Sequence, residues 1–243
     1  MLKPLKADLH IHTCLSPCGD LKMSPANIAE KANLHNIDIL GICDHNSAEN
    51  IPAVIKAAGQ YQITVLPGIE VTSQEEIHIL ALFDDFSSAL KLQDIIYKNL
   101  PGENDEEAFG IQVVVNESGE VLDFNQRLLI GASTLSINEV IDIIHSLNGL
   151  AIASHIDRES FSLISQLGFI PPDLDLDAVE ISWRMNIEDA MEKFKPDVAI
   201  IKSSDAHFPE EIGRTTTTFL IEKATAKEIK KALLAQAGRK VIH

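Results

Sequence analysis

The sequence predicts an α/β fold in which about seven or eight strand–helix units close into a barrel. Short apolar runs alternate with amphipathic helical segments, as in proteins built on a mostly parallel sheet. Histidines and carboxylates follow or interrupt nearly every apolar run, and the strand ends of such a barrel converge on one face. A doubly wound open sheet is the alternative, but it would gather a site from fewer strand ends.

The first part of the chain contains four predicted strands separated by helices. Ser24 followed by Pro25 is typical of a helix start, because the proline ring favours the first helical turn. Apolar runs define the strands, and amphipathic segments define the helices. The predicted strands are residues 7–11, 37–43, 62–66 and 77–83, and the predicted helices are residues 25–36, 48–59 and 84–99.

The regular alternation stops in the middle of the chain. Residues 111–115 and 120–124 flank the turn residues 116–119, and this pattern predicts a β-hairpin. We interpret residues 100–135 as a small insertion, too short to fold independently. The chain is therefore predicted to form a single domain that spans residues 1–243.

The alternation resumes with a helix that starts at a predicted capping box. Ser136 and Glu139 have the spacing in which the two side chains cap each other's amides. Thr225 starts the last predicted helix in the same way. The strands predicted in this part of the chain are residues 150–154, 178–181, 198–202 and 216–221.

Composition limits the possible partners. The chain has 243 residues, with 36 acidic and 20 basic ones and a formal net charge of −16. This argues against binding duplex nucleic acid through a broad basic face. A nucleotide or short oligonucleotide stays compatible, because bound metal ions can reverse the field inside a cleft.

The chain is expected to be cytoplasmic. No apolar stretch is long enough to span a bilayer, and the first motif follows Met1 too closely for a signal peptide. Cys14, Cys18 and Cys43 are an odd set, which predicts thiols or metal ligands rather than disulfides. The sequence therefore predicts no membrane partner, and it leaves the oligomeric state open.

Two pairs of ligand-type residues lie near opposite ends of the chain, each with a spacing of two. His10 and His12 belong to a predicted strand, so both imidazoles point to the same side and can hold one metal ion. Asp205 and His207 repeat this spacing after another apolar run. Asp8 has the same parity as the N-terminal histidines, and it either binds metal or orients an imidazole N–H.

Single ligand-type residues lie between these pairs. Glu70 follows a Pro-Gly step, where its two carboxylate oxygens could bridge two ions. His78 interrupts an apolar run, and His155 ends another. Of the neighbours Asp44 and His45, we favour His45 as a ligand. Imidazoles and carboxylates together predict several divalent ions such as Mn²⁺, Zn²⁺ or Fe²⁺.

Further candidates lie in loops. Cys18 and Asp20 belong to the loop that leaves the first strand, so either one could contact a metal ion. Arg158, Arg184 and Arg214 follow predicted strand ends, and their planar guanidinium groups are predicted to bind a phosphate. Exposed salt bridges are the simpler interpretation of these arginines. Three other histidines are predicted to have no functional role: His35, His145 and His243.

These motifs resemble those of the polymerase and histidinol phosphatase (PHP) superfamily of metal-dependent phosphoesterases. The resemblance covers almost the whole chain, in the family's order, through residues 8–13, 43–46, 68–70, 77–80, 154–155 and 204–207. It implies a distorted (β/α)7 TIM-like barrel with three metal ions at the strand ends. The implied ligands are His10, His12, Glu70 and Asp205 for one ion, Glu70, His78 and His155 for a second, and His45 and His207 for a third.

One position departs from the family's pattern. Members usually supply another ligand of the third ion, a histidine or an aspartate, shortly after the first two histidines. The place of that histidine holds Cys18 and the place of that aspartate holds Pro17, with Asp20 close by. The third site therefore uses Cys18, uses Asp20, or is weaker than usual. A thiolate would favour zinc over manganese.

The resemblance implies hydrolysis of a phosphate ester by metal-activated water. Glu70 would hold two of the ions, and Asp44 or a bound water would protonate the leaving group. The family's substrates include histidinol phosphate, nucleoside phosphates and short oligonucleotides, and the acidic composition favours a small phosphorylated molecule. The alternatives are a metal-dependent amidohydrolase, for which Lys202 is the candidate lysine ligand, and a non-catalytic metal-binding regulatory domain.

Overall fold

The computed structural model describes residues 1–242, so the prediction about His243 lies outside the described residues. The strands are β1 (Lys3–Ile11), β2 (Ile39–Ile42), β3 (Thr64–Thr72), β4 (His78–Leu82), β5 (Val113–Val115), β6 (Val121–Phe124), β7 (Leu150–Ala153), β8 (Ala178–Ile181), β9 (Ala199–Lys202), β10 (Thr217–Ile221) and β11 (Lys240–Ile242). The helices are α1 (Pro25–Leu34), α2 (Ile51–Gly59), α3 (Phe86–Asn99), α4 (Glu106–Phe109), α5 (Ile137–Ser146), α6 (Leu163–Leu167), α7 (Ile187–Phe194) and α8 (Ala226–Leu233).

Seven strands form the barrel, in the order β1, β2, β3, β4, β7, β8, β9. The two ends of this series meet where the amide of His12 donates to Ala206 O at 3.0 Å and Ile11 forms a bridge with Ala206. β10 pairs antiparallel with the first half of β1, and β11 follows it. Thr217 of β10 exchanges two hydrogen bonds of 2.8 Å with the main chain of Lys202. The predicted distorted (β/α)7 barrel is therefore confirmed.

β4 runs antiparallel to both of its neighbours, β3 and β7. Only residues 73–77 separate β3 from β4, and a parallel crossover needs a dozen or more residues. The reversal places the first residue of β4, His78, opposite Thr72. His78 therefore lies at the barrel end where the parallel strands finish.

β3 is longer than the sequence predicts. Pro67 and Gly68 do not end it, because Pro67 pairs with Ile42 and Gly68 pairs with Leu82. A Cβ at Gly68 would lie 2.7 Å from Cys43 Sγ, so glycine is what allows the strands to pack this closely. Glu70 consequently belongs to a buried strand rather than to a solvated loop.

Two predicted helix starts have their capping contacts. Glu139 Oε2 accepts from the amide of Ser136 at 2.8 Å, and the Ser136 hydroxyl accepts from the amide of Glu139, which completes the capping box of α5. Thr225 Oγ1 accepts from the amide of Glu228 at 3.1 Å at the start of α8. These caps satisfy amides that a helix leaves unpaired at its first turn.

The hairpin predicted in the insertion is present as β5 and β6. Asn50 joins it to the barrel, since its Nδ2 donates to Val113 O at 3.0 Å and its Oδ1 accepts from the amide of Val115 at 2.9 Å. The assignment of residues 100–135 as an insertion within one domain stays a prediction. Within residues 1–242, every helix falls short of the length and apolar character that crossing a bilayer requires.

Gly41→Ala is expected to destabilise the barrel. The added Cβ would lie 2.2 Å from Leu9 O in the paired strand β1, and backbone cannot rotate away as a side chain can. We expect the free energy of unfolding in urea to fall by about 1–3 kcal/mol or more. Gly59→Ala is the matched control, because nothing lies within 4 Å of its added Cβ, and it should be neutral or slightly stabilising. Equal stability of both variants would contradict the close approach of β1 and β2.

Candidate metal centre

A single carboxylate, Glu70, lies at the centre of the candidate site. It is 1% exposed, and each of its two oxygens faces a different set of imidazole nitrogens within 3.3 Å. This arrangement lets one carboxylate serve two cations. The surrounding histidines are His10, His78 and His155 at Oε1, and His12 and His45 at Oε2.

His10, His12 and Asp205 form one group of candidate ligands. The Nε2 atoms of the two histidines are 3.1 Å apart, and each lies 3.3 Å from Asp205 Oδ1. β1 brings both imidazoles to the same side, and the loop after β9 supplies the carboxylate. The first and last parts of the chain therefore meet in this group.

Two further groups overlap with each other through His45, and one of them shares His12 with the first group. His45, Glu70 and His78 form one of them, and His12, His45 and His207 form the other. His45 follows β2, and the reversal of β4 brings His78 to the same place. The candidate ligands therefore form one connected cluster that fits metal binding.

Buried ligand atoms without hydrogen-bond partners indicate that the site fits metal ions. His45 Nδ1, for example, lies 3.1 Å from Glu70 Oε2 without forming a hydrogen bond. A buried polar atom without a partner is destabilising, and a coordinated cation would satisfy it. The other unpartnered atoms of the group are Glu70 Oε1, His78 Nδ1 and Asp205 Oδ1.

The electrostatics of the site keep its acids ionised. Burial opposes the ionisation of Glu70, but His78 and His10 hold its pKa well below the usual range. Burial likewise opposes the ionisation of Asp205, whose pKa His10 and His12 hold well below its usual range. Burial lowers the pKa of His12, but the nearby carboxylates of Asp205 and Glu70 outweigh it and raise that pKa to about 9.

The outer imidazoles are held neutral. Burial lowers the pKa of His45 well below its usual value and also lowers the pKa of His78. Burial and the neighbouring charge of His12 lower the pKa of His207 to about 4. Neutral imidazole is the form that binds a metal ion, so these three residues are in the ligand form at neutral pH.

Glu180 in β8 is a site residue that the sequence reasoning missed. It is 1% exposed, its Oε1 lies 3.0 Å from His10 Nδ1, and the same oxygen accepts from the amide of His155 at 3.2 Å. It therefore turns the His10 ring so that Nε2 faces Asp205. The available signal was one carboxylate inside a four-residue strand that is otherwise apolar.

Asp44 is fully buried and is absent from the lining of the cleft. Its two oxygens accept hydrogen bonds of 2.7 Å from Thr13 and from the Ser16 hydroxyl. Ser16 Oγ also lies 2.9 Å from His12 Nδ1. Asp44 is therefore linked to His12 through Ser16, and its predicted role as the acid for the leaving group stays a prediction.

Asp8 takes neither of the roles predicted for it. Its Oδ1 accepts from the amide of Ser204 at 2.9 Å, and its Oδ2 accepts from the amide of Gly213 at 2.9 Å. Its carboxylate thus holds the loop that carries Asp205 rather than a metal ion or an imidazole. Burial raises the pKa of Asp8 to about 6, which agrees with a carboxyl group enclosed by main chain.

Cys18 lines the cleft, whereas Asp20 does not. The Cys18 thiol is accessible to solvent and faces the same cavity of about 180 Å³ as Glu70 and His207. Asp20 Oδ1 instead accepts from the amide of Lys22 at 2.7 Å and closes a local turn. Partial burial and the charge of Glu70 raise the pKa of the Cys18 thiol, so a thiolate there needs a nearby cation.

The three predicted arginines differ in their distance from the candidate ligands. Arg158 lines the cleft, and its Nη2 lies 2.5 Å from Asp205 Oδ2. Arg184, the residue after Trp183, and Arg214 are absent from the lining of this cleft, and their guanidinium groups lie beside the indole ring of Trp183. Only Arg158 is therefore placed to meet a phosphoryl group at the metal centre.

Two apolar side chains line the cleft. Ile130, from the segment between β6 and α5, and Phe161 both line it. The Phe161 ring stacks on the His78 imidazole with centroids 4.9 Å apart. His35 and His145 lie elsewhere, and His145 Nε2 pairs with Asp177 at 3.0 Å.

The comparisons with known proteins identify the family. The PHP domain family matches residues 8–168, and a PHP-associated family matches residues 195–237. The first match covers more than half of the chain, so the chain belongs to the PHP family. The predicted resemblance is confirmed.

Two curated proteins match shorter stretches. An uncharacterized protein of Methanocaldococcus jannaschii is 32% identical over 103 residues, which are 39% of this chain and 60% of that protein. A 5′-3′ exoribonuclease of Haemophilus influenzae is 31% identical over 80 residues, which are 32% of this chain and 28% of that protein. The matched stretches are less than two thirds of either relative's length.

Solved structures share the fold at low identity. The lesion-specific endonuclease Q of Pyrococcus furiosus superposes with a TM-score of 0.73 at 20% identity, covering 98% of this chain and 58% of that one. A phosphoesterase structure from Bifidobacterium adolescentis, described as metal-dependent, gives 0.59 at 17% identity and covers 94% of this chain and 95% of its own. These likenesses support the barrel and carry no residue-level argument.

The predicted exclusion of duplex nucleic acid is wrong. An endonuclease Q complex that holds a 27-mer duplex with an abasic lesion at its active site superposes with a TM-score of 0.71 at 19% identity, covering 98% of this chain and 58% of that one. Net charge averages the whole surface, whereas a bound strand meets only the field near the cleft. A net charge of −16 therefore does not decide what one end of the barrel binds.

Metal affinity is expected to rise with pH between about 6.5 and 9. His12 has a pKa of about 9, so a proton competes with a cation for its imidazole below that pH. Each displaced proton should strengthen Mn²⁺ binding by up to about tenfold per pH unit. Calorimetric titration across this range, in buffers of different ionisation enthalpy, measures both affinity and proton release. His145→Ala should keep the same profile, and a flat profile for the wild type would contradict the prediction.

Proposed function

We propose that this chain hydrolyses phosphate esters with two or three divalent transition-metal ions bound around Glu70. The observation that carries the proposal is the buried carboxylate among five imidazoles, with unpartnered ligand atoms around it. Membership of the PHP family supports the predicted class, a hydrolase that acts on phosphoester bonds. Mn²⁺, Zn²⁺ and Fe²⁺ suit this mixture of imidazole and carboxylate.

The proposed ligand sets overlap, because one carboxylate is close to the ligand atoms of more than one set. Glu70 belongs to two of them, and Cys18 rather than Asp20 completes the last, because only Cys18 lines the cleft. The sets are His10, His12, Glu70 and Asp205 for the first ion, Glu70, His78 and His155 for the second, and His45, His207 and Cys18 for the third.

The chain's own groups position the reaction. Bound divalent ions would lower the pKa of a water molecule and neutralise phosphoryl charge. Arg158 would exchange its contact with Asp205 for a phosphoryl oxygen, to which a guanidinium offers two parallel donors. Phe161 and Ile130 would exclude bulk water from one side of the cleft.

The proposed substrate is a phosphate ester whose phosphoryl group enters the cleft of about 180 Å³. Small phosphorylated molecules and the ends or lesions of nucleic-acid strands both present such a group. The similarity to endonuclease Q and to the exoribonuclease makes nucleic acid a candidate substrate. The cytoplasmic location stays a prediction. Monoester and diester substrates are distinguished by comparing p-nitrophenyl phosphate with its bis ester.

The amidohydrolase alternative is weaker. Its hallmark would be a lysine among the metal ligands, and Lys202 was the candidate. Lys202 Nζ instead donates to Met185 O at 2.8 Å, and its main chain pairs with Thr217. A purely regulatory role is also disfavoured, because the cleft keeps a full set of candidate ligands beside an arginine.

Glu70→Ala is expected to lose more activity and more metal than His45→Ala. Glu70 is proposed to serve two ions and His45 one, so we expect a fall of more than roughly 100-fold in kcat/KM for Glu70→Ala. Elemental analysis should give more than one transition-metal equivalent per wild-type chain. Glu192→Ala, at an exposed position of α7, is the control for loss of a carboxylate. A metal-free wild type that binds no added Mn²⁺ or Zn²⁺ would overturn the proposal.

Cys18→Ser is expected to lower metal content or activity, whereas Cys43→Ser should affect stability alone. Cys14 and Cys43 are buried, so alkylation of the folded protein reports Cys18 selectively. Added Zn²⁺ should slow that alkylation, because a coordinated thiolate is protected. Asp20→Asn provides the competing test. Equal alkylation rates with and without Zn²⁺, together with metal loss in Asp20→Asn, would assign the third site to Asp20.

A further inference from the structure

Trp183, the single tryptophan of the chain, lies beside the metal cleft and is 45% exposed. It follows Ser182, whose amide and hydroxyl donate to Asp157 at 2.7 and 2.6 Å. The residue after Asp157 is Arg158, which contacts Asp205. The main chain that carries the indole is therefore tied to the segment that extends into the metal centre.

A groove of about 450 Å³ adjoins the indole of Trp183. Two arginines, Arg158 and Arg184, and two acidic residues, Asp157 and Glu159, also line it. Arg158 lines the cleft of about 180 Å³ that contains Glu70 as well. The two cavities thus share one arginine, and a ligand held in the groove would have one end at the candidate metal ligands.

Two guanidinium groups lie against the exposed indole. The Cζ atoms of Arg214 and Arg184 are 4.8 and 5.4 Å from the ring centroid of Trp183. The ion-pair partner of Arg214, Glu211, is 3.4 Å away in a partly exposed contact. Cation–π and ion-pair contacts at such positions are weak, so both groups can turn toward a stronger partner.

Basic and acidic side chains are mixed at this place, because Asp157 and Glu159 line the same groove as Arg158 and Arg184. Three of the five arginines of the chain, whose formal net charge is −16, lie within the cleft or beside Trp183. An aromatic face flanked by arginines suits a ligand that combines a flat ring with negative charge. A phosphorylated nucleoside has both features, whereas an aliphatic phosphate ester lacks the ring.

We infer that Trp183 is a stacking platform for a nucleobase of the substrate. Arg184 and Arg214 then contact the phosphates that flank this base, and the scissile ester lies at the cleft beside Arg158. Stacking on an aromatic face tolerates any base, so the platform selects for nucleotides without reading their sequence. The inference rests on the proposed phosphoesterase function and names its substrate class, a nucleotide unit that is either free or at the end of a strand.

Tryptophan fluorescence tests the inference directly, because Trp183 is the sole source of indole emission. In EDTA, which prevents hydrolysis, adenosine 5′-monophosphate should quench the emission saturably. Ribose 5-phosphate and inorganic phosphate, which lack a base, should bind at least about tenfold more weakly. Tighter binding of a four-nucleotide single strand would favour a strand end as the natural ligand, and equal affinity would favour a free nucleotide. Equal quenching by the base-free phosphates, or none by any probe, would overturn the inference.

Substitutions provide the second measurement. Equilibrium dialysis with adenosine 5′-monophosphate should show affinity about tenfold lower for Trp183→Leu and largely retained for Trp183→Phe, which keeps an aromatic face. Phe169→Leu is the matched control, since Phe169 is 59% exposed and lines a separate groove. Equal affinity of the leucine and phenylalanine variants at position 183 would contradict stacking.

The two proposals fail in different ways. Phosphate release from ribose 5-phosphate with added Mn²⁺ tests the phosphoesterase without any base. Activity on this ester without base-dependent quenching would overturn the stacking platform alone. Base-dependent quenching without hydrolysis of any ester would overturn the proposed function alone.

Discussion

The burial of the Glu70 carboxylate is the constraint on which this end of the barrel depends. An ionised carboxylate removed from water is unstable unless positive charge or hydrogen-bond donors surround it. Five imidazole rings surround it here, and His12, whose pKa is raised to about 9, supplies positive charge among them. These histidines lie in β1 and β4 and just after β1, β2 and β7. The convergence of these strand ends therefore also assembles the candidate site. Glu180 and Ser16 help to assemble the site, because their contacts with Nδ1 of His10 and His12 fix which ring nitrogen faces Glu70.

The sheet is modified where a regular barrel would not meet this constraint. A parallel β4 would carry His78 to the opposite end, and the short connection from β3 reverses the strand instead. Gly68 lets β3 pack against Cys43 and continue far enough to bring Glu70 inside. The first departure from regular strand–helix alternation positions His78, and the second positions Glu70 itself.

Much of this arrangement follows from sequence pattern, and the remainder depends on tertiary contacts. Strand periodicity places His10 and His12 on one side, and helix caps such as Ser136 mark element starts correctly. An alternating or apolar run has no direction. The third strand was predicted to end at residue 66, so the five-residue connection that reverses β4 was not recognised. Glu180 looks like any carboxylate until its neighbours are known, and the orientation of Asp44 depends on hydroxyls that the chain supplies elsewhere. The net charge led to the wrong exclusion of duplex nucleic acid for a related reason, since it does not say where on the surface the charges lie.

The contact between His12 and Ala206 that completes the barrel joins positions separated by most of the chain. Contacts of such long sequence separation form late in folding, because a large loop must close before they contribute. The candidate ligands on the two sides of this junction, His10 and Asp205, therefore come together only in a chain that is nearly native. A cation that needs both would bind the finished fold and not its precursors, and would add to stability by mass action. Amides along this junction should then be among those whose hydrogen exchange slows most when metal is supplied.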